Sequence, residues 1–400
     1  MRLSNKAKMA VLIGTLCSVS YFAVYIARNI LSAVSPQMVD SGIAESYITT
    51  VSAVYFYVYA VGQLINGIIG DKIKARYMIS FGLILAGVCN VIYPSLLKYE
   101  FGSTVVYGII GFFLAMIYAP MTKVVAENVE PVYVPRCSMG YEFAALLGSP
   151  VAGLLAAILP TYAVFRVGGG ILLFMGAVAF VCFLVLELRG IVTYGKYDRK
   201  EKGKARIKEL FKYNIVKFSF IAIVTGVVRT SVVFLLPMYF QHLDFSAKMS
   251  ATLFSVVTLI ISLTTFIAVF VYERLKSMDK TILLMFSIAT VAFFAVWLVK
   301  NPYVNIVCLV IAIMGSGSVA SMLWCKYCPS LRDTGMVSAV TGFLDFLSYM
   351  GAGTANLISG KVVNMIGWSW LVLVWFALML FGVIISLPYG YIIEKFKKAK

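Results

Sequence analysis

The sequence predicts an all-α membrane protein: twelve transmembrane helices arranged as two pseudo-symmetric six-helix bundles. Three observations carry this. The chain is too apolar to hide in a soluble core, its apolar runs recur at membrane-crossing length, and landmarks in the first half return in the second.

Of 400 residues, 61% are hydrophobic and 13% charged. A soluble chain carries about 25% charged residues. With a mean hydropathy of +0.93, most of the surface must face lipid. A spanning helix needs about 20 mostly apolar residues. Runs that meet this requirement fall at 9–35, 46–69, 77–97, 102–126, 138–159, 165–188, 215–240, 248–272, 280–299, 303–325, 335–359 and 368–392. The first run follows Arg2, Lys6 and Lys8, as in a signal peptide, but it continues to Val34 without a small-residue cleavage site. It reads as a first membrane helix.

The net charge of +17 is consistent with a nucleic-acid binder on composition alone. Its placement argues otherwise, because the basic residues sit in short loops between apolar runs. With the N-terminus inside, 27 Lys and Arg fall on the inner side and five on the outer. That bias predicts both termini in the cytoplasm and a multi-pass protein of the cell (inner) membrane. The longest polar insert divides the chain into residues 1–188, a basic linker at 189–213 and residues 214–400. Lys200, Lys202, Lys204, Arg206 and Lys208 cluster in this linker. They read either as a site for anionic lipid head groups or as a cytoplasmic connection following the charge bias.

The seven cysteines are scattered through apolar segments, which favours reduced, packed thiols. Cys325 and Cys328 form a single C-x-x-C without a second pair or nearby histidines, so no metal or other cofactor is expected. The lone histidine, His242, falls in an outer loop. No nucleophile, base and orienting residue cluster in the sequence, and an enzyme is not expected.

Arg28 and Arg229 stand 201 positions apart, and so do Pro36 and Pro237. Asp71 after the second run has a counterpart in Glu273 after the eighth. Such landmarks are what a duplicated six-helix unit leaves behind. Carriers built from two such halves bind substrate near the bilayer midplane. Arg28 lies about 14 Å along the helix from its outer end, near half the hydrocarbon thickness. Arginine there costs a few kcal/mol and calls for a partner. One reading is a structural arginine neutralised by Glu142 or Asp345. The other is an anion clamp, in which two guanidinium forks face the oxygens of one phosphate, sulfonate or carboxylate. Tyr21 and Tyr25 precede Arg28 by seven and three residues and share its helical face. Glu142 and Asp345 lie well inside their runs, where carboxylates mark proton relays or ion partners.

The stretch Gly67-Ile-Ile-Gly-Asp71-Lys72-Ile-Lys-Ala-Arg76 fits the loop signature G-x-x-x-D-[RK]-x-x-x-R of the major facilitator superfamily, which the chain resembles. The resemblance implies the major facilitator fold, and a loop in which Gly67, Asp71, Lys72 and Arg76 latch the cytoplasmic ends of helices. More narrowly, Tyr21-x3-Tyr25-x2-Arg28, Arg229-x7-Pro237-x-Tyr239 and Gly342-x6-Tyr349-x-Gly351 resemble the organophosphate:phosphate antiporters, the exchangers of glycerol 3-phosphate and sugar phosphates. That likeness implies that Arg28 and Arg229 bind phosphate and that Tyr21, Tyr25, Gln63 and Tyr349 line the substrate site.

Three positions depart from the family. Asn29 stands where a lysine usually follows the first arginine, Gln63 where lysine is frequent, and Ala144 where glycerol-phosphate exchangers carry histidine. Positive charge is lost and Glu142 is gained nearby. A sulfonate, a carboxylate or a singly charged phosphoester therefore stands beside phosphate as expected cargo. The sequence thus points to a monomeric secondary transporter of a small organic anion, working by alternating access. Inorganic phosphate or a proton would be its counter- or co-ion. Its rivals are a proton-coupled organic acid symporter and a non-transporting membrane sensor of an anion.

Overall fold

The computed structural model describes residues 4–69, 73–194, 211, 213–331 and 337–387. Among the described residues twelve long helical passages follow one another: α1 (Asn5–Asp40), α2 (Glu45–Ile69), α3 (Ala75–Leu96), α4 (Glu100–Asn128), α5 (Val134–Ile158), α6 (Thr161–Leu188), α7 (Ile215–His242), α8 (Ala247–Leu275), α9 (Met278–Leu298), α10 (Pro302–Tyr327), α11 (Val337–Ile366) and α12 (Trp368–Ser386). Among the described residues, 11 of these are long and apolar enough to cross a membrane. The remaining passage, α11, has 30 residues, about 45 Å of helix, long enough to span but more polar.

Local chemistry sets the ends. Ser4 caps α1 by accepting from the Ala7 amide at 3.2 Å. Asn301 caps α10, accepting from the Tyr303 and Val304 amides at 3.0 and 3.2 Å, with Pro302 in the first turn. Helix α4 is broken at Ala115–Ile117, where Pro120 has no N–H to return to Met116. Gly42 (φ +89°), Gly190 (φ +68°) and Gly367 (φ +87°) make three of the turns. All three use the left-handed region that glycine enters without penalty.

Packing follows the rule for helices in lipid, where small residues let backbones touch. A Cβ on Gly87 would sit 2.9 Å from the Gly169 carbonyl, and one on Gly169 would sit 2.7 Å from the Gly87 carbonyl, so α3 and α6 meet backbone to backbone. Along α1 and α5 the close approaches run in parallel register, Gly14 against Cys137, Gly140 against Ser18 and Gly148 against Tyr25.

By contact the chain forms two compact units. The first comprises Met1–Glu201, Phe234–Ser262 and Gly353–Asn364; the second comprises Lys202–Val233, Leu263–Ala352 and Met365–Lys400. Helices α7, α8 and α11 are each divided between the two units. Within the first unit the reason is visible at the end that carries residues 41–44 and 243–246. Ser32 Oγ donates to the Phe234 carbonyl at 2.7 Å, Ser255 Oγ to the Pro150 carbonyl at 2.7 Å, and Asn356 Nδ2 to Ser52 Oγ at 2.8 Å. Gln241 Nε2 also donates to Asp40 Oδ1. Helices α1, α5 and α2 are thereby joined to α7, α8 and α11 respectively.

At the opposite end of this unit, Glu187 gathers two cations. Lys74 Nζ lies 2.7 Å from Oε1 and Arg76 Nη1 lies 2.7 Å from Oε2. The Arg76 side chain is only 8% exposed, so removal of its partner leaves a buried charge. Glu187→Leu should lower unfolding stability in detergent by about 3 kcal/mol; a loss below about 1 kcal/mol would show the pair to be ornamental. The chain beyond α6 returns over the same end. Val192 is fully buried, and Thr193 donates its amide to Asn128 Oδ1 at 2.7 Å. Burial, aided by the nearby Glu187 carboxylate, pushes the Tyr194 phenol up to about 12.

Candidate functional site

In the first unit α1 places Arg28 among rings. Its guanidinium carbon lies 5.2 Å from the Tyr25 centroid, 5.5 Å from Phe56 and 5.2 Å from Tyr59. Tyr25 is one turn back on the same helix, and Phe56 and Tyr59 form a stripe on α2. Rings at these distances attract a guanidinium over their faces, and a guanidinium binds oxygens through its N–H edges. Gln63 is half-buried one turn beyond Tyr59, on the same stripe.

Behind Tyr25 the rings close up. Tyr21 packs on Tyr25 at 5.1 Å, on Tyr118 at 5.4 Å and on Tyr141 at 6.2 Å. Tyr21 is 4% exposed, so it belongs to a packed wall rather than an open one. Glu142 follows Tyr141 and is exposed. Asn29 turns its amide back onto the Tyr25 carbonyl at 2.7 Å.

The second unit builds its arginine differently. Val227–Val232 is a π-helical turn inside α7, and among its six residues Arg229 alone is exposed. A π-turn inserts a residue and re-aims side chains, and such turns concentrate at functional sites. The turn before it touches α11: a Cβ on Gly226 would fall 2.7 Å from the Ser348 Cα. Arg229 stands three residues after Gly226, and Asp345 three residues before Ser348. Their Nη2 and Oδ1 atoms are 3.9 Å apart, with side chains 40% and 26% exposed. The ring of Trp324, on a second π-turn at Leu323–Tyr327, lies 6.0 Å from the guanidinium carbon. Tyr349 is 4% exposed.

The sequence-selected residues thus resolve into groups. Arg28, Tyr25 and Tyr21 come together with Tyr118 and Tyr141, and Gln63 shares their neighbours' stripe on α2. Arg229 and Asp345 meet. Tyr21 and Tyr349 are packed inside. In the loop signature, Gly67 falls within α2, Asp71 and Lys72 lie outside the described residues, and Arg76 is bound to Glu187. Sequence reasoning missed Phe56, Tyr59 and Trp324. The spacing of Phe56, Tyr59 and Gln63 was a usable signal, whereas a π-turn leaves none.

No group of three or more His, Cys, Asp or Glu side chains able to hold a metal occurs among the described residues.

Residues 17–353 match the family described as the Major Facilitator Superfamily. The chain belongs to that superfamily. Its helices superpose on a bacterial homolog of the human lysosomal transporter Spinster in the inward-facing, occupied conformation. The TM-score is 0.73 at 13% identity, covering 96% of each chain. The unoccupied form of that protein gives 0.72 at 15% identity over 94% and 95% of the two chains, and a D-xylose-proton symporter gives 0.69 at 11% over 94% and 96%. At these identities the likeness is one of fold. By sequence the chain is similar to the membrane sensor protein UhpC of Salmonella typhimurium (strain LT2), 32% identical over 74 residues, 18% of this chain and 17% of the relative. The Escherichia coli (strain K12) UhpC is 28% identical over the same length and shares. The match spans under a fifth of these curated relatives.

Proposed function

We propose that this superfamily member is a secondary transporter of a small organic anion, an organophosphate or a related sulfonate or carboxylate, moved by alternating access in exchange for a second anion. The observation that supports this best is a ring-flanked arginine in each repeat of the sequence. Arg28 lies among Tyr25, Phe56 and Tyr59, and Arg229 lies beside Trp324. A guanidinium is planar and always charged, and its N–H edge presents a fork for two oxygens. The 3.9 Å contact with Asp345 is longer than a charge-assisted hydrogen bond. An incoming oxyanion therefore competes for Arg229 on favourable terms. The reading places the protein as a monomer in the cell membrane with both termini in the cytoplasm, with phosphate or a proton as the ion exchanged or carried along.

The test is uptake into proteoliposomes. Exchange requires a trans anion and proceeds without a pH gradient. A proton-coupled symporter instead responds to an imposed gradient and loses that response in Asp345→Asn or Glu142→Gln. Uptake driven by the gradient with no trans anion would replace the exchange reading.

A second reading, an anion sensor that does not transport, is favoured by the similarity to UhpC. It predicts ligand binding with no flux in the same vesicles.

A further inference from the structure

The π-turn of α10 carries a residue that neither the sequence motifs nor the comparisons single out. Across Leu323–Tyr327 the ends are buried, Leu323 fully and Tyr327 at 2% exposure, while Trp324 is half-buried and Cys325 and Lys326 are exposed. The turn is fixed to α7 by Tyr327, whose ring stacks on Phe218 with centroids 3.6 Å apart. That anchor holds the indole of Trp324 6.0 Å from the Arg229 guanidinium carbon, while Asp345 stands 3.9 Å from one of the terminal nitrogens.

These neighbours have opposite characters. A carboxylate repels the oxygens of an anion seated on Arg229, and a large ring offers an apolar face. The charged head of a bound anion takes the guanidinium edge. Its carbon skeleton is then directed away from Asp345 and onto the indole. We propose that Trp324 is a specificity-determining residue, the wall that receives the organic body of the anion held by Arg229 and separates organic from inorganic anions. The proposal rests on the anion-transport reading above and names a residue of that site.

The test uses purified protein in detergent and two probes with similar heads and different bodies, phenyl phosphate and inorganic phosphate, with affinities measured by titration calorimetry. In the unaltered protein phenyl phosphate should bind more tightly. Trp324→Leu should weaken phenyl phosphate about 5-fold and leave inorganic phosphate within about 2-fold, the scale of one aromatic contact. Trp324→Phe should recover most of the loss.

Equal weakening of both probes would mean that Trp324 only positions Arg229 or supports the fold, and would overturn the proposal. No change with either probe would overturn it too. The anion reading fails separately, if Arg229→Lys leaves phosphate affinity intact or if the unaltered protein binds neither probe; in that case the Trp324 proposal falls with it.

Discussion

Arg28→Lys and Arg229→Lys are each expected to weaken binding of the transported anion by about 10- to 100-fold, the value of one or two charge-assisted hydrogen bonds, and to reduce flux at least as far. The substitution keeps the positive charge and removes the fork. At Arg28 it also removes the planar group that lies among Tyr25, Phe56 and Tyr59 at 5.2–5.5 Å, because an ammonium cannot stack as a guanidinium does. At Arg229 the replacement still meets Asp345, so the local charge balance survives and loss of binding reports on geometry. Surface expression of both variants should match the unaltered protein, since the positive charge is kept and neither residue is fully buried. Wild-type affinity in either variant would remove that arginine from the site.

A bulky side chain at Gly153 is expected to separate binding from turnover. A Cβ there would lie 2.9 Å from the Ala251 carbonyl and 2.9 Å from the Ser255 amide. Neither backbone atom can step aside without moving α8. The same contact carries the Ser255 to Pro150 bond at 2.7 Å. Overpacking of this kind costs about 1–3 kcal/mol, and here the cost applies only to the state in which α5 and α8 touch. Gly153→Leu should therefore shift the balance of states by about 5- to 150-fold. Anion affinity should stay within about 3-fold of normal while flux falls at least about 10-fold. A thiol placed on the α8 face at this contact should become reactive to a water-soluble reagent in the variant alone. Unchanged flux would show that this contact does not open during the cycle.

The passages themselves were legible in the sequence because lipid imposes one rule. Backbone groups must be satisfied within each helix, so apolar length marks the helix. Run boundaries differ from helix ends by up to seven residues, at Ile366 where the run stops at 359, and α1 begins at Asn5 rather than at residue 9, since a capped polar turn can precede the apolar run. The matched Arg28 and Arg229 were visible as intramembrane charges. Their settings were not. The π-turn around Arg229 follows the close approach of Gly226 to Ser348, a long-range contact with no local signature. The rings on Arg28 come largely from α2, whose facing stripe could be read but not its partner. Tyr21 and Tyr349 looked like lining residues because their spacing puts them on the arginine's face or in a familiar motif. Spacing alone cannot distinguish a ring facing water from one wedged between helices, and both are buried.

The central proposal is that Arg28 and Arg229 are each needed to bind the transported anion. Calorimetric titration of the purified protein with one organic phosphate, alone and in the Arg28→Lys, Arg229→Lys and double variants, measures this most directly. The account predicts about 10- to 100-fold weaker binding in each single variant and no tighter binding in the double one, because lysine cannot supply the fork. Wild-type affinity in the double variant would contradict it.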